Sequence, residues 1–332
     1  TNILGNTLFG SLSGSSVAAS VAIGGVLIPM EEKEGYDKKF AAAVNIASAP
    51  TGLIIPPSGI LIIYPVLAGC SVVGMIMSGY IPGLMWALAC MVVAYVIAKK
   101  NHYPTAGKVP ASVFFKYFVD AIPSLLLIVI IVGGVMSGIF TATESAAVAV
   151  AYTLFLSIVV YRSIKIKDLP KILLDACETT AVIMFLIAGS NVMSFVMSFT
   201  GLPSAIGNAL ISVSSNKYVI LLIINLVLLV VGCFMDITPA VLIFTPIFLP
   251  VVQSFGMDPI HFGIMMVMNL GIGNITPPVG SALFSGCSVA DMDMEDMIKP
   301  ILPFYAAIFV ALMLVAYVPW FSMALPTLFG AV

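Results

Sequence analysis

The sequence predicts an all-α polytopic membrane protein built on an inverted repeat, with two re-entrant helical hairpins and two helices broken by Pro-Pro pairs. Three observations carry that prediction. Of 332 residues, 61% are hydrophobic and 8% charged, and long apolar runs recur along the whole chain, as expected of a chain surrounded by lipid. Sliding the sequence against itself by 221 residues sets Pro29, Gly35, Asp37, Gly52, Ile54, Pro56, Pro57, Gly59 and Pro82 on Pro250, Gly256, Asp258, Gly273, Ile275, Pro277, Pro278, Gly280 and Pro303, without a gap. Each copy also places its Pro-Pro pair inside an apolar stretch, where an ordinary membrane helix needs an unbroken backbone ladder.

Composition excludes several function classes. The net charge of -2 carries no information about acidic or basic partners when most of the surface faces lipid, and no nucleic-acid partner is predicted. Five cysteines lie scattered with no close pair, so neither a disulfide framework nor a metal knuckle is suggested. There is no Gly-x-x-x-x-Gly-Lys phosphate loop and no His-Glu-x-x-His pair. An enzyme is not expected: a membrane-embedded hydrolase would need a base beside Ser13, and no histidine lies at membrane depth to serve. An ion channel is the other alternative. Thr1 falls inside an apolar segment, and if the second copy begins near Ser112, roughly a hundred residues of the first are expected before Thr1.

The elements follow in chain order. Apolar segments are expected at 4–30, 40–65, 71–98, 118–139, 144–161, 173–199, 217–235, 239–252, 260–289 and 300–326. The first holds a hairpin tip at Ser13-Gly14-Ser15-Ser16, with Ser16 capping the second arm. Residues 239–252 would make a helix of about 21 Å against a hydrocarbon core of about 30 Å. They read as one arm of a second hairpin with its tip at Met235-Asp236-Ile237-Thr238-Pro239, where Thr238 is the N-cap and Pro239 the first helical position. The expected organisation is a first hairpin and broken helix over 1–70, mainly scaffold over 71–216, a second hairpin and broken helix over 217–290, and a C-terminal scaffold helix over 291–332. All basic residues except Lys217 fall in the loops at 33–39, 99–116 and 162–171 or at Lys299. The positive-inside rule puts those loops in the cytoplasm, and counting crossings puts loop 200–216 and the C-terminus in the periplasm. The two hairpins then open to opposite sides, as in inverted-repeat transporters.

The chemistry concentrates at the breaks and the tips. In Gly52-Leu53-Ile54-Ile55-Pro56-Pro57-Ser58-Gly59 and Gly273-Asn274-Ile275-Thr276-Pro277-Pro278-Val279-Gly280, adjacent prolines delete backbone donors and glycines permit an unwound turn. Freed carbonyls are hard oxygen ligands suited to sodium. Ser11, Ser13, Ser15 and Ser16 add hydroxyls at the first tip, and Asp236 and Thr238 add a carboxylate and a hydroxyl at the second. Capping explains one residue per tip. Asp236 is left without a structural duty, and an intramembrane carboxylate is a functional candidate by default. Thr141-Ala142-Thr143-Glu144 reads as a capping box, and Asn45, Asn191, Asn225 and Asn269 as interhelical contacts. His261 is expected at the membrane interface, and Asp291, Asp293, Glu295 and Asp296 form a solvated cluster with no assigned site.

At these residues the chain resembles the large membrane subunit of tripartite ATP-independent periplasmic (TRAP) transporters. The resemblance rests on Phe-Gly-Ser-Leu-Ser-Gly-Ser-Ser at 9–16, Ile-Ile-Pro-Pro-Ser at 54–58, Gly-Ile-Phe-Thr-Ala-Thr-Glu at 138–144, Asp-Ile-Thr-Pro at 236–239, Asp-Pro-Ile-His-Phe-Gly at 258–263 and the stretch from Asn269 to Gly280. It implies an elevator-type sodium symporter in the bacterial inner membrane. Its partners would be a small membrane subunit and a soluble periplasmic binding protein, which delivers an organic acid such as sialic acid, a C4-dicarboxylate or a sugar acid. Two or more sodium ions are implied. One lies between the first tip and the first break (Ser11, Ser16, Gly52, Pro56) and one between the second tip and the second break (Asp236, Thr238, Gly273, Thr276, Gly280). Substrate would lie between them, near Ser13, Ser15, Ser58, Asn274 and Ser281. Its carboxylate would face helix N-termini and hydroxyls, because Arg162 is the only arginine and is placed in the cytoplasm. Ala19 and Gly59-Ile60 depart from the family pattern near that site and bear on the choice of substrate.

Overall fold

A computed structural model describes residues 1–104, 111–202, 205–206, 209, 214 and 216–331, with helices, turns and loops and no strand among them. Seven helical stretches among the described residues are long and apolar enough to cross a membrane, and the chain is an all-α, multi-pass membrane protein. It divides into two compact units, one of residues 1–104 with 193–332 and one of residues 105–192.

The first unit opens with α1 (Asn2–Ser13) and α2 (Ser16–Lys33), followed by α3 (Lys38–Ser48), α4 (Thr51–Ile54), α5 (Ile60–Ala68), α6 (Val72–Ser78) and α7 (Tyr80–Lys100). The apolar segment expected at 40–65 is divided twice. Pro50 ends α3 because it has no N–H to donate to Ile46 O, although Ala49 before it keeps helical backbone at φ -56° and ψ -38°. The Pro56-Pro57 pair separates α4 from α5.

In the second unit, α8 (Ala111–Ile128) runs through a π-helical turn at Val129–Gly133 into α9 (Gly134–Met136). Next, α10 (Ala142–Phe155) ends in a second π turn at Leu156–Val160. Tyr152 donates to Pro123 O at 2.8 Å and Ser145 to Ile131 O at 3.0 Å, pinning the two arms together. The capping box at α10 is present, with Glu144 N–H donating to Thr141 Oγ1 at 3.3 Å and Thr141 N–H to Glu144 Oε2 at 2.8 Å. Helix α11 (Leu169–Thr200) has 32 residues, about 48 Å of helix against a core of about 30 Å.

The chain returns to the first unit at residue 193, within α11, and continues with α12 (Lys217–Phe234), α13 (Ile237–Ser254), α14 (Pro259–Asn274), α15 (Ser281–Val289), α16 (Met294–Tyr317) and α17 (Trp320–Leu328). At the 221 offset, α2 and α13 share both boundaries, as do α5 and α15, and α1 and α12 share their last residue. Two buried amide clamps seat the hairpins. Asn6 Nδ2 reaches Asn45 Oδ1 at 2.9 Å and Ser48 Oγ at 3.0 Å, and Asn269 Nδ2 reaches Asn225 O and Oδ1 at 2.8 Å each. Interhelical bonds of this kind hold helices together where lipid supplies no hydrophobic drive.

Two expectations are corrected. Helix α13 has 18 residues, about 27 Å, so length does not separate it from a spanning helix; its hairpin character lies in the two-residue turn to α12. The second concerns the caps at the two tips, described below. Helices α7 and α16 fall in the same compact unit as both hairpins and pack against each other and against α3. His261 is 3% exposed, and its Nε2 donates to Val315 O at 2.8 Å. That carbonyl lost its helical donor to Pro319, which has no N–H. Loops 103–112 and 200–216 and Val332, used to place the two sides of the membrane, lie wholly or largely outside the described residues.

Candidate substrate and cation site

Each hairpin turns in two residues. Gly14 takes φ 62° and its N–H closes on Gly10 O at 2.7 Å, a left-handed cap suited to glycine. Ser15 then becomes the N-cap of α2, accepting from Ala18 N–H at 3.2 Å. At the second tip the N-cap position is Asp236, with extended backbone and no side-chain capping bond. The caps therefore sit one residue before Ser16 and two before Thr238, at positions related by the 221 offset. Asp236 is exposed and its carboxylate is not consumed by the helix beneath it.

The breaks follow from missing donors. Pro56 and Pro57 remove the N–H groups that would have bonded Gly52 O and Leu53 O, and Pro277 and Pro278 do the same for Gly273 O and Asn274 O. Both Pro-Pro bonds are cis. Replacement bonds form at the second break: Thr276 N–H donates to Gly273 O at 2.9 Å, and the Tyr305 hydroxyl donates to Ile275 O. The Val279 and Gly280 N–H groups both reach Cys233 O at 3.3 Å, tying the break to the end of α12. Glycine is needed where arm and break touch. A Cβ on Gly52 would lie 2.2 Å from Gly10 backbone, and one on Gly273 2.4 Å from Gly232 backbone.

Side chains join the two tips. Asn274 Nδ2 donates to Ser16 Oγ at 2.8 Å, and its Oδ1 accepts from the Ser281 hydroxyl and from Ala282 N–H at 3.1 Å. Ser281 Oγ also lies 3.4 Å from Asp236 Oδ1. Ser281 has one proton for two acceptors. With that proton on Asn274, the Asp236 carboxylate keeps its lone pairs for another partner. Tip one, the second break and tip two thus meet through Ser16, Asn274, Ser281 and Asp236, although Ser16 and Asn274 are 258 residues apart.

The other sequence-derived candidates fall around this line. Ser11 is buried and donates to Leu8 O at 2.8 Å, whereas Ser13 is exposed beside Gly14. Pro56 and Ser58 are buried, and a Cβ on Gly14 would meet Gly59 N at 3.4 Å and Ser58 Cα at 3.7 Å, so the first tip rests on the first break. Ser58 Oγ has no hydrogen-bond partner. Thr238 is half-buried; Thr276 donates to Ile272 O at 2.6 Å; Gly280 takes φ 42°. Sequence reasoning missed Asn6, whose i, i+4 pairing with Asn2 on an apolar helix was a readable signal, and Tyr305, for which no local signal exists. The cluster at 291–296 contributes one ion pair, Asp296 with Lys39 at 2.7 Å, with both side chains about half exposed. Pairs of that kind contribute about 0–1 kcal/mol.

The family model described as "Tripartite ATP-independent periplasmic transporter, DctM component" matches residues 1–321. An uncharacterised protein of Salmonella typhimurium, YgiK, is 51% identical over 99% of this chain and 76% of its own length. The C4-dicarboxylate TRAP transporter large permease protein DctM of Pseudomonas aeruginosa is 37% identical, and the sialic acid TRAP transporter large permease protein SiaM of Vibrio cholerae 38% identical, each over 99% of this chain and 77% of the relative. The chain belongs to the DctM family of TRAP transporter large permeases, and is a transporter component rather than an enzyme.

Proposed function

We propose that this permease drives sodium-coupled symport of a carboxylate-bearing organic acid across the bacterial inner membrane by an elevator motion. It works with a small membrane subunit and a soluble periplasmic binding protein that delivers the substrate. Sialic acid, C4-dicarboxylates and sugar acids are the substrate classes in view, the first two from the names of the relatives. The observation that carries the reading is the meeting of both tips at the second break through Ser16, Asn274, Ser281 and Asp236. This polar line offers hard oxygens to sodium, and the N-terminal ends of α2, α13 and α15 to a carboxylate. One sodium is assigned to the first tip and first break, where Ser58 Oγ is buried without a partner, and one to the second tip and second break. Substrate lies between them, with the C-terminus on the periplasmic side.

The test is uptake by the full-length reconstituted complex. Saturable uptake should follow an imposed inward sodium gradient and ignore ATP. Uptake unchanged when potassium replaces sodium on both sides would refute sodium coupling, and flux linear in substrate concentration would favour a channel.

A further inference from the structure

The same turn follows both hairpins at the end away from the tip, yet in one copy an aromatic ring of the chain packs against its neighbours and in the other those positions face a cavity. Gly35 and Tyr36 N–H groups bond Glu32 O and Glu31 O at 3.0 Å each, while Gly256 and Met257 N–H groups bond Gln253 O and Val252 O at 2.9 and 3.1 Å. These are the same positions at the 221 offset. Both glycines take positive φ, and Asp37 and Asp258 cap the helices that follow. In the first copy the chain itself lays a ring against the two aromatic residues at this turn and leaves a cavity of about 300 Å³ beside Tyr103. The Tyr103 ring lies 4.9 Å from Tyr36 and 5.3 Å from Phe40, Tyr36 donates to Pro104 O at 2.9 Å, and Pro104 covers Gly35 at 3.5 Å.

In the second copy nothing among the described residues approaches within 4 Å of a Cβ built on Gly256. A cavity of about 230 Å³ stands there, walled by Lys217, Tyr218, Met257, Asp258, His261 and Tyr317. Met257 and His261 occupy the offset positions of Tyr36 and Phe40, the two rings that hold Tyr103. A thioether and an imidazole are suitable neighbours for an aromatic ring. The volume lies below the range of about 300–1,000 Å³ typical of drug-sized sites, which suits a single ring.

We propose that this cavity binds a small phenol-bearing molecule, in the manner in which its counterpart holds the Tyr103 ring. Lys217 can donate to the phenolic oxygen. Asp258, whose Oδ1 is taken by Ile260 N–H at 2.8 Å, can accept the phenolic proton on its other oxygen. His261 Nε2 is committed to Val315 O, so its ring contributes a face rather than a proton. Because the cavity is shared by the first turn of α12 and the last turn of α13, an occupant ties the two arms of the second hairpin at their base.

The experiment follows 4-fluorophenol by fluorine NMR on the full-length complex, with 4-methylphenol, the tyrosine side chain as a free molecule, as competitor. Saturable binding displaced by 4-methylphenol is expected. Met257→Trp, which fills the cavity, should remove it, and Lys217→Gln should weaken it by about tenfold. Tyr103→Ala should open a second saturable site in the first copy. Non-saturable partitioning in the parent protein, or binding unchanged in both Met257→Trp and Lys217→Gln, overturns the proposal. So does binding in detergent that vanishes in lipid nanodiscs, which would assign the cavity to an acyl chain.

Discussion

The two tip-and-break regions share boundaries but divide their polar groups in opposite ways. In the first, the tip carries hydroxyls at Ser11, Ser13, Ser15 and Ser16 while its break is apolar except for Ser58. In the second, the break carries Asn274 and Thr276 and is followed by Ser281, and the tip supplies the carboxylate of Asp236. Their hydrogen bonding differs too. Asn274 spends donors and acceptor alike on Ser16, Ser281 and Ala282, whereas Ser58 Oγ is buried without a partner. The difference teaches that the candidate site is one hydrogen-bonded constellation drawn from both copies, in which Ser16 of the first completes the polar line of the second.

The largest expected effects test the shared backbone contact. Gly52→Ala and Gly273→Ala each force a Cβ into facing backbone at 2.2 and 2.4 Å, and should each destabilise the solubilised full-length protein by about 3 kcal/mol or more in thermal melting. Equal melting of either variant and the parent would break the claim that both arms are seated alike.

Gly59→Ala and Gly280→Ala sharpen the contrast at one repeat position. Gly59 has ordinary helical φ of -60° and nothing within 4 Å of a Cβ, so alanine should be neutral or stabilising by up to about 1 kcal/mol. Gly280 has φ 42° and a Cβ there would meet Thr276 O at 2.8 Å, so alanine should cost at least about 1–2 kcal/mol. Matching melting shifts would show that the breaks are not built differently.

Next come the two offset-related tip residues. Asp236→Asn should raise the half-saturating sodium concentration by at least about tenfold, a loss of roughly 1.4 kcal/mol. Ser15→Ala should chiefly remove a cap, costing about 1 kcal/mol of stability with a smaller change in sodium dependence. Equal sodium dependence in Asp236→Asn and the parent, at matched expression, would reduce Asp236 to a backbone role.

The smallest effect is the most discriminating. If Ser58 Oγ holds a cation, Ser58→Ala should weaken sodium activation by about fivefold while melting in sodium-free buffer stays level or rises by up to about 1 kcal/mol. A rise in melting with unchanged sodium activation would remove the cation from the first break.

Much of this could be read from residue order because it follows from rules acting within about four residues. A Pro-Pro pair deletes two neighbouring N–H groups, which marks the breaks at 56–57 and 277–278 where single prolines inside α2, α5, α13 and α16 leave the helix running; glycine admits left-handed backbone, which marks the first tip at Gly14; composition required helices in lipid. Packing decided the rest. Lipid is as apolar as leucine, so a membrane helix need not mark its buried face with a hydrophobic stripe, and periodicity could not assign α7 and α16 to the hairpin unit or bury His261. The same limit hid the Asn6 clamp, the Tyr305 bond to Ile275 and the line from Ser16 to Asp236. These join groups 30 to 258 residues apart, and which carbonyl or amide finds which partner is settled only when the helices are packed against one another.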